Sequence, residues 1–237
     1  MTPSLQPAGN RGVGPRISLI HATEISVGPA HAAMRSLWPA AMFTDLLDTS
    51  LSLDRDLGEP PEAFDARILT LARHARSSGA EAILFTCSAF GPSIAKAAAA
   101  LDIPVLKPNQ AMFEAALGFG GRIAMVATFR PAIGTMEEEF ASSANEMQPG
   151  AVLETFYAAG ALAALQAGDR PQHDRLVCRA VAALSGFDAI MLAHFSTSPA
   201  LKAAQKLTVI PVLSAPSAAV GALKLRLSTA DDLALKD

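Results

Sequence analysis

The 237-residue chain has only two cysteines, Cys87 and Cys178. They make neither a disulfide framework nor a zinc-binding spacing. Aromatic residues are scarce at 5%, with one Trp and one Tyr. Neither sign of charge dominates, since 19 Lys and Arg stand against 22 Asp and Glu for a net charge of −3. A surface that tracks phosphates needs a clustered basic excess, so nucleic acid is not an expected partner. No apolar run approaches the roughly 20 residues that cross a bilayer, so no membrane partner is expected. Residues 1–15 are rich in Pro and Gly, lack the apolar stretch of a signal peptide, and read as a disordered leader. The cytoplasm is the expected location. The glycines of Gly118-Phe-Gly-Gly121 precede an apolar run instead of following one, so they are no nucleotide fingerprint. With no Cys/His/carboxylate cluster either, neither a metal nor an organic cofactor is expected.

What the chain has in quantity is small apolar residue. It is 51% hydrophobic and rich in Ala, the composition of a compact globular protein with length enough for buried cores. It also repeats itself. Gly79-Ala-Glu-Ala-Ile-Leu-Phe-Thr-Cys87-Ser-Ala-Phe-Gly-Pro92 lies over Gly186-Phe-Asp-Ala-Ile-Met-Leu-Ala-His194-Phe-Ser-Thr-Ser-Pro199. Pro104 then meets Pro211 without an insertion or deletion, and Arg16-Ile17 matches Arg122-Ile123 at nearly the same spacing. The unit is far longer than that of a solenoid array.

Short apolar runs alternate with segments of helical spacing. Phe64, Ile68, Leu71 and Ala75 mark one helix face, and Ile83 to Thr86 a buried strand. Strands separated by helices imply parallel sheets. The expected fold class is α/β: two pseudo-symmetric flavodoxin-like halves, each a four-stranded parallel sheet with helices on both faces. The halves are expected at 16–119 and at 120–237, the latter with a C-terminal helix, and with Gly118–Gly121 as the hinge. Ligands of such sheets bind beyond the carboxyl ends of the strands, which places the site in the cleft between the halves.

Cys87 follows a strand and precedes a helix start, where free backbone N–H groups lower a thiol's pKa. The repeat sets His194 at the equivalent point of the second half. Most free cysteines are inert core residues; that reading fits Cys178, between Val177 and Val181 on a helix. Cys87 and His194 are the candidate catalytic pair. Around them, Thr23, Ser88, Ala89, Thr128, Phe129, Arg130, Phe195 and Ser196 sit on strand-end loops and are candidate substrate contacts, with Arg130 suited to bidentate pairing with a carboxylate. Ser198 reads as a helix cap ahead of Pro199, and Asp45 and Asp48 as turn residues.

At these residues the chain resembles the aspartate/glutamate racemase superfamily, which includes hydantoin racemases, maleate isomerases and arylmalonate decarboxylases. The resemblance rests on Thr86-Cys87-Ser88, Ala193-His194-Phe195-Ser196, Leu46-Leu-Asp-Thr-Ser-Leu51 and Val126-Ala-Thr128, and spans Arg16 to Leu227. It implies cofactor-free proton exchange at a substrate α-carbon, typically by two cysteines on opposite faces, and assembly into a homodimer or higher homo-oligomer. Here the second cysteine position holds His194. Three readings follow: a racemase or isomerase of a small carboxylate or carbonyl compound using Cys87 and His194, a decarboxylase using Cys87 alone, and a two-lobed small-ligand binding protein without catalysis.

Overall fold

A computed structural model describes residues 14–234; the leader expected over residues 1–15 lies almost wholly outside the described residues. The first half runs β1 (Arg16–His21), α1 (Val27–Leu37), β2 (Met42–Leu47), α2 (Ser50–Asp56), α3 (Asp65–Ser77), β3 (Ala82–Phe85), α4 (Gly91–Ala99), β4 (Val105–Leu106) and α5 (Gln110–Leu117). The second runs β5 (Arg122–Ala127), α6 (Ile133–Met147), β6 (Val152–Tyr157), α7 (Ala161–Gln166), α8 (Arg170–Ala182), β7 (Ala189–Leu192), α9 (Leu201–Ala204), β8 (Val212–Ser214) and α10 (Ala215–Ala234). The sheets are ordered β2-β1-β3-β4 and β6-β5-β7-β8, and every pairing is parallel.

The central strands are buried on both faces, which is why they read as continuous apolar runs. Their alternation divides the interior into three cores. Ile20, Ile83 and Phe85 face outward onto Ile68, Ala72 and Ile94 of α3 and α4. Ala124, Val126, Ile190 and Leu192 do the same against Val177, Val181 and Ala204. The remaining row of each sheet points inward, so Ile17, Leu19, Leu84, Ile123, Met125 and Met191 share one core with Met34, Phe113, Phe140, Ala219 and Leu223. The largest core therefore spans both halves. Helix α10 follows the second sheet in sequence but packs on α1 and α5 of the first half.

The repeat reaches into the turns. Gly79 and Gly186, each ahead of a central strand, both take positive φ (89° and 75°), a conformation glycine adopts without a Cβ clash. In the connector between halves, Gly120 has φ 155°, and a Cβ there would lie 2.3 Å from the Asp188 carboxyl carbon. That carboxylate accepts a 2.8 Å hydrogen bond from the Arg122 amide. Gly118–Gly121 thus connects the two halves, closely packed at Gly120 and exposed at Phe119.

Two helices escape the sequence reading. Helices α2 and α7 are only seven and six residues long, too short to display a helical period. The segment beginning at Pro199, expected as one helix, is a 3-10 stretch (Phe195–Ala200) followed by the four-residue α9. Ser198 does not cap it: its hydroxyl donates back to the Phe195 carbonyl at 2.9 Å. Among the described residues no helix is long and apolar enough to cross a membrane.

Candidate active site

The carboxyl ends of both sheets open onto one cleft of about 530 Å³. The first half contributes Thr23 and Ser26 from the β1–α1 loop, Ser52 and Arg55 from α2, and Thr86, Cys87, Ser88 and Ala89 after β3. Pro108 and Asn109 enter ahead of α5. The second half adds Thr128, Phe129, Leu162, His194, Phe195 and Ser196. Every residue picked from the sequence lines this cleft except Arg130. That guanidinium instead stacks on the Tyr157 ring, 3.9 Å from its centroid, the planar contact arginine makes with an aromatic face. The positive charge in the cleft belongs to Arg55, whose guanidinium carbon lies 5.8 Å from the Phe129 centroid and whose Nη2 pairs with Asp56 at 2.6 Å.

Cys87 stands two residues past β3 in extended conformation (φ −110°, ψ 121°), followed by the 3-10 turn Ser88–Phe90. The Ala89 amide donates to its sulfur and Arg55 adds favourable charge, but burial is the larger effect and pushes the thiol's pKa up. The lowered pKa expected from a helix start is therefore not found. A 3-10 turn presents fewer aligned free N–H groups than the start of a longer helix, and desolvation of a thiolate outweighs them. Cys178 packs at the edge of the second outer core, away from the cleft.

His194 stands two residues past β7, ahead of its own 3-10 segment. Burial alone pushes its pKa down to about 4, so the imidazole is neutral at neutral pH. Its ring meets Phe129 edge-on, with centroids 6.2 Å apart and an interplanar angle of 74°. Among the described residues, His194 Nε2 has no hydrogen-bond partner, nor do the Asn109 amide and the Thr128 hydroxyl. These atoms are shut off from solvent, and the three residues that carry them line the cleft. Asn109 and Arg55 were not singled out from the sequence. An Asn just before a helix has the signature of a cap, yet the Asn109 side chain makes no capping bond.

Ile25, Pro108, Phe129, Leu162 and Phe195 give the cleft an apolar lining interleaved with these few polar groups. That is the usual build of a small-molecule site.

A family model described as Asp/Glu/hydantoin racemase matches residues 56–186, more than half the chain. The match includes Cys87 and ends before His194. No curated protein matches the chain by sequence. Among solved structures, a glutamate racemase isoform from Bacillus anthracis is similar over 92% of this chain and 83% of its own, with 13% identity and a TM-score of 0.70. Allantoin racemase from Klebsiella pneumoniae matches over 92% and 89%, with 16% identity and a TM-score of 0.69. A liganded mutant of arylmalonate decarboxylase matches over 86% and 88%, with 21% identity and a TM-score of 0.60. At these identities the likeness is one of fold.

Proposed function

The chain belongs to the Asp/Glu/hydantoin racemase family, and from that premise we propose that it is a cofactor-independent isomerase moving a proton at the α-carbon of a small carboxylate, with Cys87 on one face and His194 on the other. The observation that carries this reading is the set of unpartnered buried groups, Asn109, Thr128 and His194, gathered in the cleft that Cys87 lines. A buried polar group without a partner costs about 1–3 kcal/mol, so three in one cavity amount to a recognition set waiting for a polar ligand. Arg55 gives that ligand a cation to meet, which favours a carboxylate. Ile25, Leu162, Phe129 and Phe195 favour an apolar substituent on the same carbon.

The protonation states suit the chemistry. A neutral His194 is a base and a protonated Cys87 an acid. His194 Nε2 takes the α-proton, breaking the C–H bond and leaving an enediolate whose charge Asn109, Thr128 and Arg55 stabilise. The Cys87 S–H bond then breaks as its proton is delivered to the opposite face, giving the inverted product. The reading is tested with 2-phenylpropionate in deuterated water, following solvent deuterium at the α-carbon together with inversion of configuration. Absence of exchange across a panel of 2-aryl, 2-alkyl and 2-amino carboxylates and hydantoins would rule it out.

A second reading has its own support. Burial keeps Cys87 protonated, and a protonated thiol also serves where a single proton is delivered to one face. That fits decarboxylation of a malonate-type acid, with Cys87 protonating the enediolate left when carbon dioxide departs. Gas release from phenylmalonate without racemisation of 2-phenylpropionate would put this reading in place of the first.

A further inference from the structure

The ends of β1, β2 and β3 carry a row of hydrogen-bonding side chains that leads from the cleft to the protein surface. Thr86 and Ser26 line the cleft. Thr86 Oγ1 lies 2.9 Å from His21 Nδ1, Ser26 Oγ lies 3.3 Å from the same nitrogen, and the two hydroxyls are 2.9 Å apart. On the far side of the ring, His21 Nε2 lies 3.0 Å from Asp45 Oδ1. His31 Nε2 holds both oxygens of Asp45, at 2.8 and 2.9 Å. The His21 side chain is fully buried, whereas that of Asp45 is 35% exposed and opens the row to water.

Proton positions follow from the partners. Burial lowers the His21 pKa despite the opposing pull of Asp45, so the ring is neutral. Burial works to raise the Asp45 pKa, but hydrogen bonds from His31 and His21 prevail and hold it below the usual carboxylate value. An ionised carboxylate only accepts, so His21 carries its proton on Nε2. Its Nδ1 is then an acceptor for the Thr86 hydroxyl. A carboxylate fixes an imidazole tautomer, and the free nitrogen polarises a hydroxyl that faces the cleft.

The internal repeat supplies a control. In register, His21, Asp45 and Thr86 correspond to Ala127, Thr155 and Ala193 of the second half. The same four-stranded frame is built there without any of the three, so the frame does not require them.

We propose that Thr86, His21 and Asp45 form a proton relay between the cleft and solvent, distinct from His194 and serving the proton chemistry assigned to that cleft. The proposal rests on the reading of the cleft as a site of proton transfer. Outward, a proton released in the cleft bonds to Thr86 Oγ1 as the Thr86 hydroxyl proton passes to His21 Nδ1. The His21 Nε2 proton passes to Asp45 Oδ1 and from there to water. One N–H bond forms and one breaks, and the net result is one proton moved with no change of oxidation state. His21 is left with its proton on Nδ1, and the reverse sequence from that state carries a proton inward.

Asp45→Asn and His21→Gln separate the relay from the scaffold. With 2-phenylpropionate in deuterated water, both variants are expected to exchange about 10²-fold more slowly in kcat with KM unchanged, since a positioned proton-transfer group contributes on that order. Added imidazole buffer should restore much of the lost rate, which it would not do for a packing defect. Asp45 is partly exposed, so Asp45→Asn guards against a His21 variant that fails to fold. Nitrogen-15 NMR of labelled histidines is the second arm: His21 should carry its proton on Nε2 at neutral pH and lose that preference in Asp45→Asn. Wild-type exchange rates in both variants, or a His21 proton on Nδ1 in the resting protein, would overturn the relay. If the unaltered protein exchanges none of the probes, the assigned chemistry falls and the relay with it; exchange by the unaltered protein at a rate that both variants match overturns the relay alone.

Discussion

Cys87 and His194 occupy matching points of the two halves, each two residues past a central strand, but their backbones differ. Cys87 is ordinary extended chain at φ −110°, whereas His194 sits at φ 70° and ψ 148°. No other described residue besides glycine has positive φ. That region is close to glycine-only, and holding another residue there costs on the order of 1–3 kcal/mol. The protein thus stores strain at the one position where its repeat exchanges a thiol for an imidazole.

Relief of that strain is measurable. His194→Gly should raise stability by about 1 kcal/mol, after allowing for lost packing and the entropy of glycine, while abolishing two-sided proton exchange. Urea denaturation is the check. A His194→Gly protein less stable than the parent would mean that the backbone at this point is not strained.

His194 also sets an acid limit. Its folded pKa is about 4, against an ordinary value of 6.5. As pH falls below 6.5 the unfolded chain binds a proton at this residue and the folded protein does not, so unfolding becomes easier until the pH reaches about 4. The parent should therefore lose more stability across that window than His194→Gln, which has nothing to titrate. Equal losses in urea midpoint for the two proteins would contradict a buried neutral imidazole.

The two cysteines should separate cleanly. Cys87→Ser is expected to cost about 10²–10⁴-fold in turnover, because a serine hydroxyl is a far poorer proton donor than a thiol. Cys178→Ser, at the edge of a core and away from the cleft, should leave turnover near that of the parent. Similar losses from both substitutions would point to an effect on folding.

Arg55 and Arg130 make a second contrasting pair. Loss of a charge-assisted hydrogen bond to a carboxylate is worth about 1.5–3 kcal/mol, so Arg55→Ala should raise KM roughly 10- to 100-fold. Arg130→Ala removes only a stack on Tyr157 and should leave KM unchanged. The opposite ranking would return the carboxylate to the loop after β5.

The fold was legible because a doubled sequence testifies twice. The apolar runs Ile83–Phe85 and Ile190–Leu192, each behind a positive-φ glycine, announce the same buried strand in two places. The strand ends carrying Cys87 and His194 followed from that register. What a linear reading does not contain is lateral order. His21 and Asp45 meet because β2 joins the sheet beside β1, and Thr86 completes the row from β3 on the other side. Nothing in the spacing of these residues reveals those neighbours. Arg55 was missed with α2, whose seven residues show no helical period. Arg130 reads as available because it is a cation beside a strand end, whereas in the structure it stacks on the ring of Tyr157.

One core passes without interruption from Ile17 in the first sheet to Met191 in the second, and α10 fastens them together from behind. The two walls of the cleft are consequently parts of a single solid body. Clamshell closure would have to open the core that both halves share. Side chains on opposite walls, Cys87 and His194 among them, are therefore positioned relative to one another by the folding of that shared core. Any ligand of this cleft would then have to fit a gap set by the core, with variation left to the loops that furnish the walls.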